Sequence, residues 1–599
     1  MILQSLNRLY DRLAADPAYA IASEGYSLQK IAFEVVIKAD GELHQIIDVR
    51  DHSGKKPVPI QRLVPGQAKP SGSGLNPCFL WDNMAYLIGY VGKQQKQESG
   101  EKYQKRIQRT KQAFGEFRDQ HLALEDEISD PAFSSVCRFL EQWQSEQDTE
   151  QPVLNELTSG FGLFRLLAET NYVHERPTIE AWWKQQSPGN TSAKKESMCL
   201  ITGEYLPVAS IHEPAIKGVG GAQSSGAKVV SFNCDAFTSY GKDQSQNAPV
   251  SESAAFRYST VLNALLGGPL SHRHRISLGD TTIVFWTGEE TYTENFLGEL
   301  LSGHFLSNEA QNPATLQQIE VLLKALREGG GALRGLDDDP STPIYLLGLA
   351  PNAARLSVRF WHTDTLGHFI DCLKSHYDDL HIIPQFGAGS KRPDPEFPPA
   401  WMLLRETARE SKDISPLLAG ALMRATLNGT PYPDTLAGAV IRRIRADRQI
   451  NYCRAATLKA WLTRLNRNKG GIPVSLDTER TEPAYRLGRL FATLEKTQEE
   501  AQPDINATIR DCFYSAASAT PSIIFPRLLR TYQHHLGKLH PGAKVNREKL
   551  VQEIVDELET MPAHLNLEAQ ALFAIGYYHQ RKALFSGNKN QKPTTDNQE

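Results

Sequence analysis

The chain has 599 residues, more than one hydrophobic core accommodates, so two or three domains are expected. Hydrophobic residues make up 40% and charged residues 22%, an ordinary balance for a globular chain. The formal net charge of -4 excludes a polycation, so any nucleic-acid surface must come from local clustering of Lys and Arg.

At the N-terminus Ile2, Leu3, Leu6, Leu9, Tyr10 and Leu13 form one helical stripe broken by Arg8, Asp11 and Arg12. That pattern predicts an amphipathic helix and not a secretory signal. No run of 18 apolar residues follows, so a cytoplasmic protein is expected, with no membrane partner. Ile31–Lys38, Leu43–Asp51 and Val58–Val64 read as strands, with turns at Asp40-Gly41 and Ser53-Gly54. Residues 65–74 form a Gly/Pro/Ser loop. Helical sequence runs from about Asn83 to Gln147, with a basic patch between Lys93 and Lys111. Residues 186–198 are polar and linker-like.

Thr281–Thr287 reads as a strand. Ile344–Ala350, a turn at Pro351-Asn352 and Leu356–His362 read as a hairpin, feeding a helix over Asp364–His376 capped by Thr363 or Asp364. From Pro398 onward the pattern is helical. Leu487, Leu490, Phe491 and Leu494 sit at i, i+3, i+4, i+7 after Pro483. Phe525, Leu528, Leu529, Tyr532 and Leu536 mark a second helix, Leu550, Ile554 and Leu558 a third, and Leu572, Ile575 and Tyr578 a fourth. With Ile505–Ala519 these make a small bundle behind a hinge at Gly470–Pro473. The fold class is therefore α+β. Mixed N-terminal (1–195) and middle (196–395) regions with irregular loops precede a basic helical connector (396–473), an all-α bundle (474–586) and a polar tail (587–599).

Three features could carry chemistry. The first is Cys199–Tyr258, whose glycines let backbone N–H groups approach phosphate or a groove floor. Lys217, Gln223, Ser224, Ser225, Lys228, Asn233 and Lys242 offer phosphate neutralisation and base-edge bonds, and Phe232, Phe237 and Tyr240 could stack on bases. It holds neither a Walker nor a dinucleotide-binding glycine motif, and the plain alternative is a surface loop before a strand. The second is Ile441–Lys469, where Arg442, Arg443, Arg445, Arg448, Arg454, Lys459, Arg464, Arg467 and Lys469 stand against the single acid Asp447. At helical spacing Arg445, Arg448 and Lys459 could share a face that tracks a backbone, or the run could be a solvated helix face paired with acids elsewhere. The third is His212-Glu213, His272-Arg273-His274 and Asp337-Asp338-Asp339, none of which falls in a metal-nuclease signature. The seven cysteines lie at least 35 residues apart, so no zinc ribbon, redox pair, metal site or other cofactor is expected, and no catalytic residue is assigned.

The chain resembles the large subunit of type I-C CRISPR surveillance complexes over nearly its whole length. The resemblance rests on MILQSLNRLYDRL, on NPCFLWDNMAYLIGY (Asn76–Tyr90) and most heavily on Cys199–Tyr258. Pro483–Gln498 and Ile575–Phe585 add to it. It implies a non-catalytic subunit that reads a protospacer-adjacent motif in duplex DNA, typically 5′-TTC, helps open the duplex and holds the displaced strand. The implied partners are the CRISPR RNA-bearing backbone subunits, the CRISPR RNA 5′ end and its processing subunit, a small subunit and a helicase–nuclease. Two loops suit motif reading: Lys69, Ser71, Gly72, Ser73, Gly74 and Asn76 in one, and Lys217 to Lys228, with Asn233, in the other. The Arg-rich segment would then track the displaced strand. The C-terminal bundle resembles the small subunit, made in such systems by internal translation. No Met lies between Met423 and Met561, so a start there would need Val474 or Leu476. The competing expectations are a metal-dependent nuclease and a scaffold without motif reading.

Overall fold

The computed structural model describes residues 1–54, 56–69, 74–94, 98–144, 152–157, 160–186, 196–232, 234–302, 326–327, 338–387, 390–467 and 471–586. Two compact units emerge. The first comprises Met1–Ile216 and Lys228–Ala264, the second Lys217–Ala227 and Leu265–Glu599. The α+β reading holds: mixed sheets occupy the N-terminal and middle regions, and helices the C-terminal one.

The first unit opens with helix α1 (Ile2–Ala15), which buries Leu6, Leu9, Tyr10 and Leu13 as its apolar stripe demands. Strand β1 (Tyr26–Ile37) is the spine of a five-stranded sheet. Its first half pairs antiparallel with β3 (Ile60–Pro65), and its second half with β2 (Leu43–Asp48) across the Asp40-Gly41 turn. Helices α2 (Met84–Leu87), α3 (Gly100–Leu122) and α4 (Pro131–Gln142) follow β4 (Trp81–Asn83). The sequence reading missed β5 (Phe161–Leu166), which lies parallel to β1 from Ile31↔Phe161 to Ile37↔Leu166 and antiparallel to β4. Phe33, Val35 and Phe164 of the sheet pack with Phe117, Phe133 and Phe139 of α3 and α4 in one core. Helix α5 (Pro177–Gln185), the short hairpin β6 (Glu196–Met198) and β7 (Tyr205–Pro207), and most of α6 (Glu252–Gly267) complete the unit.

In the second unit, α7 (Ser271–His274) leads into an antiparallel sheet of β8 (Arg275–Leu278), β9 (Thr281–Thr287), β10 (Pro343–Asn352) and β11 (Arg355–Thr365), in the order β11-β10-β9-β8. Helix α8 (Tyr292–Ser302) follows β9. The β10–β11 hairpin turns at Ala353-Ala354, with Ala353 at φ +53°, and not at Pro351-Asn352, which still belong to the strand. β11 runs on to Thr365, whose hydroxyl caps α9 (Leu366–Leu380) by accepting from His368 N at 3.4 Å. The cap is therefore one to two residues later than expected. Helices α10 (Ala400–Arg405), α11 (Pro416–Asn428), α12 (Asp434–Asp447) and α13 (Tyr452–Leu465) lead to α14 (Pro483–Ala501), α15 (Ile509–Ala517), α16 (Pro521–Leu536), α17 (Pro541–Asp556) and α18 (Leu567–Ser586). A single hydrophobic cluster runs from Ile276 in β8 to Tyr578 in α18, so the C-terminal helices share one core with the sheet. α14 and α18 meet at Gly488 and Gly576. A Cβ on Gly488 would lie 2.1 Å from Phe573 O, and one on Gly576 2.1 Å from Tyr485 O, so only glycine permits this crossing. No helix among the described residues is long and apolar enough to cross a membrane.

Candidate nucleic-acid interface

The 65–78 loop closes on a buried ion pair. Asp82 has 0% side-chain exposure and accepts from Lys69 Nζ, from Cys78 N at 3.1 Å and from Asn83 N at 2.7 Å. Lys69 Nζ also lies 3.3 Å from the Tyr86 ring centroid. Burial pushes the Asp82 carboxyl above the ordinary carboxylate range, against the pull of Lys69 and the two backbone donors. The same burial, reinforced by the Asp82 charge, pushes the Cys78 thiol up to about 12. This corrects the reading of Lys69: its ammonium anchors the loop base and is not presented to a base edge. Asn76 stays exposed, its N–H donating to Tyr86 Oη at 3.3 Å, and so does Gly74. Ser71, Gly72 and Ser73 lie outside the described residues.

The second loop is tethered and presents its polar tip. Its stem buries Ile216, Val219 and Ala227. Gly218 (φ +92°) passes the backbone of Leu266, and Gly221 (φ +78°) lies against Pro351 of β10, where an added Cβ would stand 3.2 Å from Pro351 Cγ. Gly220 N donates to Thr282 Oγ1 of β9 at 3.4 Å. Just beyond these tethers Gln223, Ser224 and Ser225 are exposed, with Gly226 N closing a turn onto Gln223 O at 2.9 Å. Lys217 is also exposed. Lys228 is not free for phosphate: Nζ donates to His212 O at 2.5 Å and pairs with Glu213 at 2.7 Å. Asn233 lies outside the described residues. Phe232 and Phe237 pack edge to face at 6.3 Å, whereas Tyr240 and Lys242 are exposed.

The Arg-rich segment divides into core and surface. Arg448 adopts a left-handed conformation (φ +57°) that ends α12, and Asn451 caps α13 by accepting from Arg454 N at 2.9 Å. Arg445, Arg448 and Lys459 therefore do not share one helix face, contrary to expectation. Arg454 bonds Glu406 and Asp447, each at 2.6 Å, and Arg464 bonds Asp379, Ala425 O and Thr430 O at 2.6–2.7 Å under the Tyr432 ring. Lys459 donates to Asp379 O at 2.9 Å, and burial lowers its pKa against the Asp379 and Asp378 charges. These three cations are buried and paired, with Arg464 Nη2 alone among their side-chain nitrogens lacking a hydrogen-bond partner among the described residues, so they cannot line a surface track. Arg443 pairs with Asp447 at 2.7 Å. Arg442, Arg448 and Arg467 are exposed, and Arg467 reaches Ser375 Oγ at 3.4 Å. Half-buried Arg445 reaches Ser515 O of α15 at 3.4 Å. The outer face of α16 adds exposed Arg527 and Arg530, which the sequence reading missed. Their signal was available, since residues 512–547 contain no Asp or Glu. Lys469 lies outside the described residues.

The titratable candidates have structural partners. His212 Nδ1 lies 2.6 Å from Tyr258 Oη, and burial, with Lys228 nearby, pushes its pKa down to about 4. His274 is buried 3.2 Å from Phe285 O, and Arg273 bonds Asn295. Asp338 accepts from Tyr292 N, Thr293 N and Thr293 Oγ1 at the start of α8, and Asp339 holds the Ser341 turn. His272 is exposed and Asp337 lies outside the described residues. Among the described residues no group of three or more His, Cys, Asp or Glu is placed to hold a metal.

No curated protein matches the chain. The family model described as CRISPR-associated protein (Cas_Csd1) matches residues 6–585, nearly the whole length, and the chain therefore belongs to the Cas_Csd1 family of CRISPR-associated proteins.

Proposed function

We propose that the chain is the DNA-reading, non-catalytic large subunit of a type I-C CRISPR RNA-guided surveillance complex. It reads a 5′-TTC protospacer-adjacent motif with the 217–227 loop, helps open the duplex and holds the displaced strand on its exposed arginines. Guide-bearing subunits, a small subunit and a helicase–nuclease complete the assembly. Guide pairing reads the rest of the target, so the protein needs only a short probe of the groove. The observation that carries the reading is the exposed Gln223–Ser225 tip, which follows directly on the contacts of Gly220 with Thr282 and of Gly221 with Pro351. A probe on a fixed base loses little conformational freedom on entering a groove. Small amide and hydroxyl side chains suit base edges there.

The test is binding of the guide-loaded complex, at fixed salt, to target duplexes with and without 5′-TTC. Replacing Gln223, Ser224 and Ser225 by alanine is expected to lower discrimination about tenfold or more, with nonspecific affinity kept. Full discrimination in that variant places the reader elsewhere. Equal binding of both duplexes by the wild type favours the scaffold, and divalent-metal-dependent cleavage by the purified chain favours the nuclease.

A further inference from the structure

The geometry points to Tyr240 as a stacking platform for an unpaired nucleobase, a contact beyond the motif-reading loop that rests on the nucleic-acid reading above. Tyr240 is 99% exposed, the most exposed of the large hydrophobic side chains among the described residues. It sits at φ +51° and Gly241 at φ +68°, on the tip of a tight turn in which Lys242 N donates to Ser239 O at 2.9 Å and Ser239 pairs with Lys242 as an isolated antiparallel bridge. Positive φ at both central positions is the geometry that usually selects Asn-Gly or Gly-Gly. A bulky aromatic residue there is an outlier, because its Cβ crowds the backbone.

The turn is also braced. Asn247 Nδ2 donates to Lys242 O at 2.8 Å and to Gln244 O at 3.0 Å, which fixes the limb that follows the tip. The ring therefore stands on a held backbone, in an unfavourable conformation, fully in water. No packing within the described residues repays either cost. Strained backbone positions of this kind cluster at active sites and ligand clamps.

The chemistry around the ring selects the ligand. Thr238, Ser239, Gly241 and Lys242 are small or polar and exposed, so the ring lacks the apolar surround of a protein–protein anchor. Asp235 and Asp243 flank the turn against the single cation Lys242, which disfavours a phosphate. What remains is the π-face, and its counterpart is the face of a base. Phe232 and Phe237 are spent on each other and do not compete for this role. A base within a duplex is already stacked on both sides, so the fitting partner is a base freed when the duplex opens.

The experiment uses the full chain with a single-stranded oligonucleotide carrying one 2-aminopurine, whose fluorescence is quenched by stacking. Wild type is expected to quench the probe. Y240A is expected to lose the quenching and to bind about five- to a hundredfold more weakly, with the slope of log K against log salt unchanged because no phosphate contact is lost. Y240F and Y240W should restore both signals. Y240G, which relieves the positive φ, should unfold no earlier than wild type and bind like Y240A. Unchanged quenching in Y240A overturns the proposal. So does a Y240F variant no better than Y240A, since the hydroxyl and not the ring would then make the contact. A Y240A defect seen only when partner subunits are present would make the residue a protein anchor and would overturn it equally. Duplex discrimination for 5′-TTC, measured in the same variants, reports on the motif reading separately, so either can fail alone.

Discussion

Replacing Lys69 by Met tests whether this residue holds the loop base or contacts DNA. The change removes the ammonium from Asp82, which is fully buried and otherwise keeps only the N–H groups of Cys78 and Asn83. Breaking a buried pair from one side costs about 3–5 kcal/mol, and the two remaining donors place this case near the lower end. Loss of the ammonium over the Tyr86 ring adds about 1 kcal/mol. The sum, about 3–4 kcal/mol, corresponds to a melting shift on the order of 10 °C for a unit of this size. Burial already raises the Asp82 pKa, so removing Lys69 raises it further. The folded state then favours the protonated acid, and the penalty must be larger at pH 8 than at pH 5. The Lys69→Met, Asp82→Asn double variant removes both charges and should recover most of the loss. Thermal melting together with hydrogen exchange at the amides of Cys78 and Asn83 provides the assay. A Lys69→Met variant that melts within 2 °C of wild type, or a double variant no better than the single one, would refute the anchoring role.

The two kinds of arginine in 441–469 should separate cleanly. Arg464→Met strands Asp379 and is expected to destabilise the second unit by about 3 kcal/mol or more, whereas Arg442→Gln should leave the melt within about 0.5 kcal/mol; urea unfolding checks both. Burial depresses His121, His212 and His579 to about 4 and His376 to about 3, so below pH 6.5 the unfolded chain binds protons that the native chain refuses. Their contribution is therefore level above about pH 6.5 and falls toward pH 4, by about 1.4 kcal/mol per pH unit for each such histidine; a melting midpoint that stays constant from pH 7 to 5 contradicts this. Gly488→Ala places a Cβ against Phe573 O and should cost about 1–3 kcal/mol by forcing α14 and α18 apart, read as an earlier thermal transition.

Local signals made part of the fold legible. Asp40-Gly41 announces the β1–β2 turn, the apolar run Thr281–Thr287 is strand β9, and the i, i+3, i+4, i+7 spacing after Pro483 is helix α14. What stayed hidden depends on distant partners. β5 pairs in parallel with β1 across some 130 residues, and no local pattern reports that pairing. The Ala353-Ala354 turn carries no Gly, Asn or Pro to mark it. The candidate site failed in the same way. A count of arginines does not reveal that Arg454 meets Glu406 across 48 residues or that Arg464 meets Asp379 across 85, and the Lys69–Asp82 pair looks like an ordinary loop lysine until Asp82 is seen to be buried. The glycines of the 217–227 loop were legible as sites of close backbone approach. Their tethers to β9 and β10 were not.

The division of the cations sets an expectation for the whole surface. If all nine basic residues of 441–469 met phosphates, log K for a duplex would fall against log salt with a slope of about -8, at 0.9 per contact. Arg454, Lys459 and Arg464 are consumed in the core, Arg443 by Asp447 and half-buried Arg445 by Ser515 O; with Lys469 set aside as lying outside the described residues, Arg442, Arg448 and Arg467 remain, joined by Arg527 and Arg530 on α16. Five contacts give a slope of about -4 to -5. Nonspecific affinity is then modest, as it should be in a chain of net charge -4. The measurement is the salt dependence of duplex binding by the full chain, with Arg527→Gln and Arg530→Gln each expected to lower the slope by about 0.9. A slope near -8 in the wild type would mean that more cations than these five reach the phosphates, and the five-contact account would fall.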